Sequence, residues 1–397
     1  MADYLTEKFA GIGGSIKECQ EDFRVEELPL YTPCGEGEHL YLDIEKRGLT
    51  TFELVDKLAA ALGAKKQDMG YAGLKDARAV TRQTISMTGV RAEQALALQL
   101  DGVTVLSARY HRNKLRTGHL LGNRFTIRVR DVATDAVEKA RDILHVLELT
   151  GVPNFFGEQR YGVLGNSHLV GKAILEEDYD QAVRQIIGDP AAIRHPEWRR
   201  AAEAFVAGDL AEARKLLPRG MGNEARLLGQ LADGRSPRQV VFRLPHKLLR
   251  LYLSAYQSFL FDRIVTMRLA SIDSLWPGDL AYKHDNGACF LVTDPDAEQP
   301  RADRLEISPS GPLYGYKMTS AQGQAGILEE SLLTKSGLTG DSFRLARGLS
   351  LEGARRPLRV PMQEVSASDD NGHLLLSFNL PKGSYATSVL REVMKTG

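Results

Sequence analysis

Asp76 is the carboxylate in this sequence best placed for covalent chemistry. The stretch Gly70–Gln83 sets it between Lys75 and Arg78, after two glycines and ahead of a strand-like run. A carboxylate in a cationic setting stays ionised, and in that form it can act as a nucleophile. The same residues also describe an ordinary turn, with Asp76 held by Lys75 or Arg78. Residue types alone leave both readings open.

Two further clusters could serve such a carboxylate. Arg109–Arg130 holds seven cations (Arg109, Arg112, Lys114, Arg116, Arg124, Arg128 and Arg130) together with His111 and His119, and no Asp or Glu. In a chain with 51 basic and 51 acidic side chains this is a strong local excess. It fits a stripe that neutralises RNA phosphates, or a solvated basic face paired with acids elsewhere. Pro153–Gly162 gathers Phe155, Phe156 and Tyr161 with Asn154 and Arg160. Aromatics beside polar tips suit stacking on a flipped base, and they equally suit core packing after a helix stop.

Standard cofactor motifs are lacking. Gly165–Lys172 has one residue too many between its glycines for a phosphate loop, and Ala173 stands where Ser or Thr would bind magnesium. Cys19, Cys34 and Cys289 have no metal-ligand spacing, and their odd number suits a reducing compartment. No metal, cofactor or nucleotide is expected. Met1–Lys8 has neither a basic n-region nor an apolar h-region, and no apolar run approaches the ~20 residues of a membrane helix. A cytoplasmic protein with no membrane partner, acting as a monomer, is expected.

These residues need elements to hold them. Leu40, Leu42 and Ile44 alternate with polar neighbours as in a half-buried strand. Thr50 and Glu53 form a capping box ahead of the helical spacing Leu54, Val55, Leu58, Leu62, with Gly63 as the stop. Phe125, Ile127 and Val129 alternate with Arg124, Arg128 and Arg130, and a helix follows from about Thr134 to Gly151. Residues 172–270 turn rich in Ala, Leu, Glu and Arg with helical spacing, and 276–325 read as loops and short strands. Leu374–Leu380 again alternates, and Ser384 is a candidate cap for a last helix. The two ends share one style, which suggests an α/β domain interrupted at 176–349.

Four separated stretches resemble the TruD family of tRNA pseudouridine synthases: Lys17 with Glu21–Glu27, Gly73–Gln83, Gly151–Gly162 and Leu380–Glu392. Asn113–Arg116 with Gly122, Asn123 and Phe125 also fits. The resemblance implies an α+β pseudouridine synthase fold, a mixed, largely antiparallel sheet flanked by helices and interrupted by an α/β insertion domain. Residues 1–175 and 350–397 would form the catalytic domain and 176–349 the insertion. It implies isomerisation of a tRNA uridine, typically position 13, with Asp76 as the essential carboxylate and Lys17, Asn154 and Phe156 around the base. Other pseudouridine synthases place a basic residue of the C-terminal motif beside the Asp. Here Gly383–Thr387 has no Arg, so Lys17 is the candidate partner and Arg391 the runner-up. An RNA-binding or RNA-folding protein on the same scaffold, an enzyme modifying another RNA, and a small-molecule enzyme with a basic pocket are the competing readings.

Overall fold

The computed structural model describes residues 4–346 and 348–396. The chain forms two compact units, one from residues 4–152 and 360–396, the other from Pro153–Arg359.

The first unit is built on an eight-stranded sheet. Its strands β1 (Phe23–Pro29), β2 (His39–Arg47), β3 (Gly70–Tyr71), β4 (Val80–Met87), β5 (Val103–His111) and β6 (Leu120–Val129) come before the second unit in sequence. A C-terminal hairpin, Gln363–Asp370 and His373–Pro381, completes it. The order runs from the hairpin through β6, β1, β4 and β2 to β5, and β3 pairs with β4. Every pairing is antiparallel except β1 with β4, where Arg24 faces Val80 and Val25 faces Thr81.

Each half of the sheet has its own core. On one side Phe125, Ile127, Val129, Leu374, Leu376 and Phe378 pack with the helix Ala136–Thr150 and the terminal helix Ala386–Met394. On the other, Leu40, Leu42, Ile44 and Ile85 pack with the helix Thr51–Leu62. That helix starts at the expected capping box, Thr50 with Glu53, and ends at Gly63 in the left-handed conformation. The terminal helix is preceded by Tyr385 rather than capped by Ser384, whose N–H instead closes a turn onto the Pro381 carbonyl.

The second unit is mainly helical around His246–Arg268, a helix buried along most of its length. Beside it lies an antiparallel sheet ordered Ala354–Pro357, Ile307–Leu313, Leu280–Lys283, Cys289–Leu291. Two buried ion pairs, Arg268–Asp279 at 2.9 Å and Arg355–Glu329 at 2.7 Å, tie these pieces together. The unit begins before residue 176 and ends after 349. The helix Ser167–Leu175 packs directly on the long helix, where a Cβ on Gly171 would stand 2.1 Å from the Tyr252 carbonyl oxygen. Composition could not show that contact.

Candidate active site

The parallel pairing of β1 with β4 brings Lys17 and Asp76 together. Lys17 precedes β1 and Asp76 precedes β4, so pairing the two strands head to head puts both approaches at one end of the sheet. Lys17 Nζ lies 2.5 Å from Asp76 Oδ2, with both side chains roughly a quarter exposed. An ammonium at that distance favours the ionised carboxylate. The other oxygen, Oδ1, accepts the Arg78 backbone N–H at 2.9 Å. The turn reading and the ion-pair reading of Asp76 therefore hold at once, but the cation is Lys17 and not Lys75.

Lys17 sits at φ +61°, a left-handed conformation that costs a non-glycine residue about 1–2 kcal/mol. Its surroundings maintain it. Ahead of it, Gly14 lies so close to β6 that a Cβ would meet the Arg130 carbonyl oxygen at 2.6 Å. Ile12 N–H donates to the Val393 carbonyl and Gly13 N–H to that of Met394, in the terminal helix. Glu392 of that helix accepts from the backbone N–H groups of Leu5 and Thr6, at 3.0 and 2.9 Å. After Lys17, buried Asp22 accepts the Cys19 N–H at 3.1 Å and two Arg130 guanidinium bonds at 2.9 and 2.7 Å. Those Arg130 bonds hold the Asp22 carboxyl far below the usual carboxylate range.

Lys46, Lys75, Glu27 and Thr51 fix the Asp76 loop. Lys46 is fully buried and donates to the carbonyls of Asp76, at 3.1 Å, and Leu49. Burial pushes its ammonium down to about 8, while Asp76 pulls the other way. Lys75 points away from Asp76 into a buried ion pair with Glu27 at 2.9 Å, and its N–H donates to Thr51 Oγ1. A signal for Lys46 was present: it continues the inward parity of Leu40, Leu42 and Ile44 on β2.

Asn154 and Phe156 belong to the second unit. Asn154 is buried with both ends of its amide engaged, Nδ2 donating to the Pro357 carbonyl and Oδ1 accepting from Arg356 at 2.6 Å. The Arg356 guanidinium lies 4.3 Å from the Phe156 ring centroid, and Phe261 meets that ring edge-on. Asn154 thus reaches Phe156 through Arg356.

The basic stripe divides. Arg124 pairs with Glu364, Arg128 with Asp370 and Arg130 with Asp22, so the strand half is a structural basic face neutralised by acids. In the loop half, Arg112 pairs with Glu36 and Lys114 donates to the Gln67 carbonyl. Arg109 and Arg116 make no ion pair among the described residues. Arg391, the alternative partner for Asp76, instead lies over the Tyr4 ring.

Comparison with known proteins places the chain in a family. The sequence model of the family described as "tRNA pseudouridine synthase D (TruD)" matches residues 1–393. A tRNA pseudouridine synthase D from Syntrophotalea carbinolica is 64% identical, covering 100% of both chains. One from Thermus thermophilus is 40% identical over 99% of this chain and 92% of its own. A crystal structure of a Methanosarcina mazei protein assigned to tRNA pseudouridine synthase D superposes with a TM-score of 0.85 at 29% identity, covering 100% of this chain and 97% of that one. The fold is that of a pseudouridine synthase. Within that class, the chain belongs to the tRNA pseudouridine synthase D (TruD) family.

Proposed function

We propose that this protein isomerises a uridine of tRNA to pseudouridine, with Asp76 as the essential carboxylate and Lys17 as the cation that keeps it ionised. The observation that carries the reading is the 2.5 Å Lys17–Asp76 pair at the head of the parallel β1–β4 pairing, in a chain of this family. The net change breaks the bond from ribose C1′ to uracil N1 and joins C1′ to C5. C5 then loses a proton to water or a base and N1 gains one, so no electrons are exchanged. A uridine in folded tRNA must leave its stack first, at a cost of a few kcal/mol. Phe156, braced by Arg356, supplies a face for the extruded base, and Asn154 acts as a positioning residue behind it.

The target nucleotide proposed is uridine 13, and residues 153–359 would serve as the insertion that contacts tRNA. Action as a monomer is part of this proposal. The free cysteines Cys19 and Cys34 are exposed, which suits the reducing cytoplasm where tRNA is processed. The test is purified protein on unmodified tRNA, with pseudouridine mapped by nucleotide. Wild-type protein should modify position 13 and Asp76→Ala should not. Product formed by the variant would remove Asp76 from its role, and a different mapped position would overturn the substrate.

A further inference from the structure

The loop joining β5 to β6 forms one wall of an open groove of about 570 Å³ in the first unit. His39, His111, Arg112, Lys114, Arg116 and His119 line it, and no carboxylate does so among the described residues. Its hydrogen-bonding polarity follows from the partners of the rings. His111 Nδ1 accepts the Cys34 backbone N–H, so its Nε2 carries the proton and is a donor. Tyr41 spends its phenol proton on the Asn113 carbonyl, and Tyr31 OH lies 2.8 Å from His119 Nδ1. The His119 tautomer sets which of these two groups donates, since the Tyr31 proton has a second acceptor in the Tyr41 oxygen at 3.3 Å. Lys114 gives one N–H to Gln67 and keeps two, and Arg116 has no carboxylate partner among the described residues.

The wall is fixed. Leu115 N–H donates to Ser86 Oγ at 3.0 Å, and Leu115 and Leu120 are buried with Tyr41 and Ala72. Gly118 N–H donates to the Ala72 carbonyl at 2.8 Å, which fastens the groove to the segment leading into Asp76. A rigid concave surface that offers the His111 ring N–H, the Lys114 ammonium and the Arg116 guanidinium, with Arg112 already paired to Glu36, suits an oxyanion.

We propose that this groove binds a backbone phosphate of the tRNA, outside the uridine site, and seats the strand against the Asp76 segment. The proposal rests on the tRNA reading above. It also confines phosphate recognition to the loop half of the basic stripe and adds His111 as a donor.

The test uses full-length wild-type, Arg116→Gln and, as a control on the neutralised half, Arg124→Gln. Arg116→Gln should raise KM for tRNA about tenfold, an increase that saturating tRNA overcomes. It should also reduce the slope of log Kd against log salt by about one. Arg124→Gln should leave that slope unchanged. Independently of turnover, inorganic phosphate should shift the His111 and His119 ring resonances in wild-type protein and not in Arg116→Gln. An Arg116→Gln protein with wild-type slope and KM overturns the proposal while leaving the isomerase reading intact. Phosphate-induced shifts with unaltered tRNA binding would make the groove a site for free phosphate and equally overturn it. Absence of pseudouridine from wild-type reactions would instead strike the functional reading, and the phosphate titration would still decide the groove.

Discussion

Replacing Lys46 by methionine sets two opposing terms against each other, and pH separates them. Lys46 is fully buried, and its ammonium donates to the Asp76 and Leu49 carbonyls. The drop from 10.5 to about 8 corresponds to a penalty of about 3 kcal/mol on the charged form in the folded protein. Methionine removes that penalty but strands two carbonyls, at ~1–3 kcal/mol each. Near pH 7 the terms nearly cancel, so stability should change by less than about 2 kcal/mol. Between about pH 8 and 10.5 the unfolded chain holds the Lys46 proton and the folded chain does not, so this residue stabilises the fold increasingly as pH rises. Wild-type protein should therefore gain about 2 kcal/mol on Lys46→Met between pH 8 and 10, read by urea unfolding at each pH. Other alkaline titrations affect both proteins alike and drop out of the difference. Because Lys46 holds the Asp76 backbone, the variant should also lose ~10–100-fold in kcat at unchanged KM, the scale expected for a misplaced reacting group. Stability curves that stay parallel from pH 7 to 10 would refute the account of Lys46 as a buried ammonium.

Lys17→Met should lower kcat by ~10–100-fold while tRNA binding by filter assay stays within about twofold, because the ammonium acts on Asp76. Glu27→Leu leaves the Lys75 ammonium buried without its partner and should cost ~3–5 kcal/mol in urea unfolding, and Glu27→Leu with Lys75→Met should recover most of it. Arg130→Met should destabilise the protein at neutral pH. Asp22 titrates abnormally low in the fold, so its contribution is present above pH ~4 and lost as pH falls. The variant and wild-type midpoints should therefore converge in acid. Phe156→Ala should raise KM and slow single-turnover isomerisation with little change in binding of tRNA that lacks the target uridine.

The strands and helices around the site were largely legible because their signals are local. The alternation of Phe125, Ile127 and Val129 marks β6, and Thr50 with Glu53 marks a helix start. Asp76 could be picked out by charge, and Lys17 by resemblance. What brings them together is not local: β1 and β4 pair in parallel across more than fifty residues, and no pattern in either strand states its partner. The basic stripe shows the same limit. Its spacing revealed a charged face, but its acids, Asp22, Glu364 and Asp370, lie more than one hundred residues away in sequence. Asn154 was singled out beside the aromatics, yet its work depends on Arg356, some two hundred residues later.

The clasp between Glu392 and the backbone of Leu5 and Thr6 has a consequence for synthesis. The segment bearing Lys17 is made before the helix Ala386–Met394 that docks it, with more than three hundred residues between them. Until that helix emerges from the ribosome, the segment before Lys17 lacks the bonds it makes to Val393, Met394 and Glu392. Nascent chains would thus stay inactive toward tRNAs crowding the translating ribosome, and activity would begin only once the terminal helix is released.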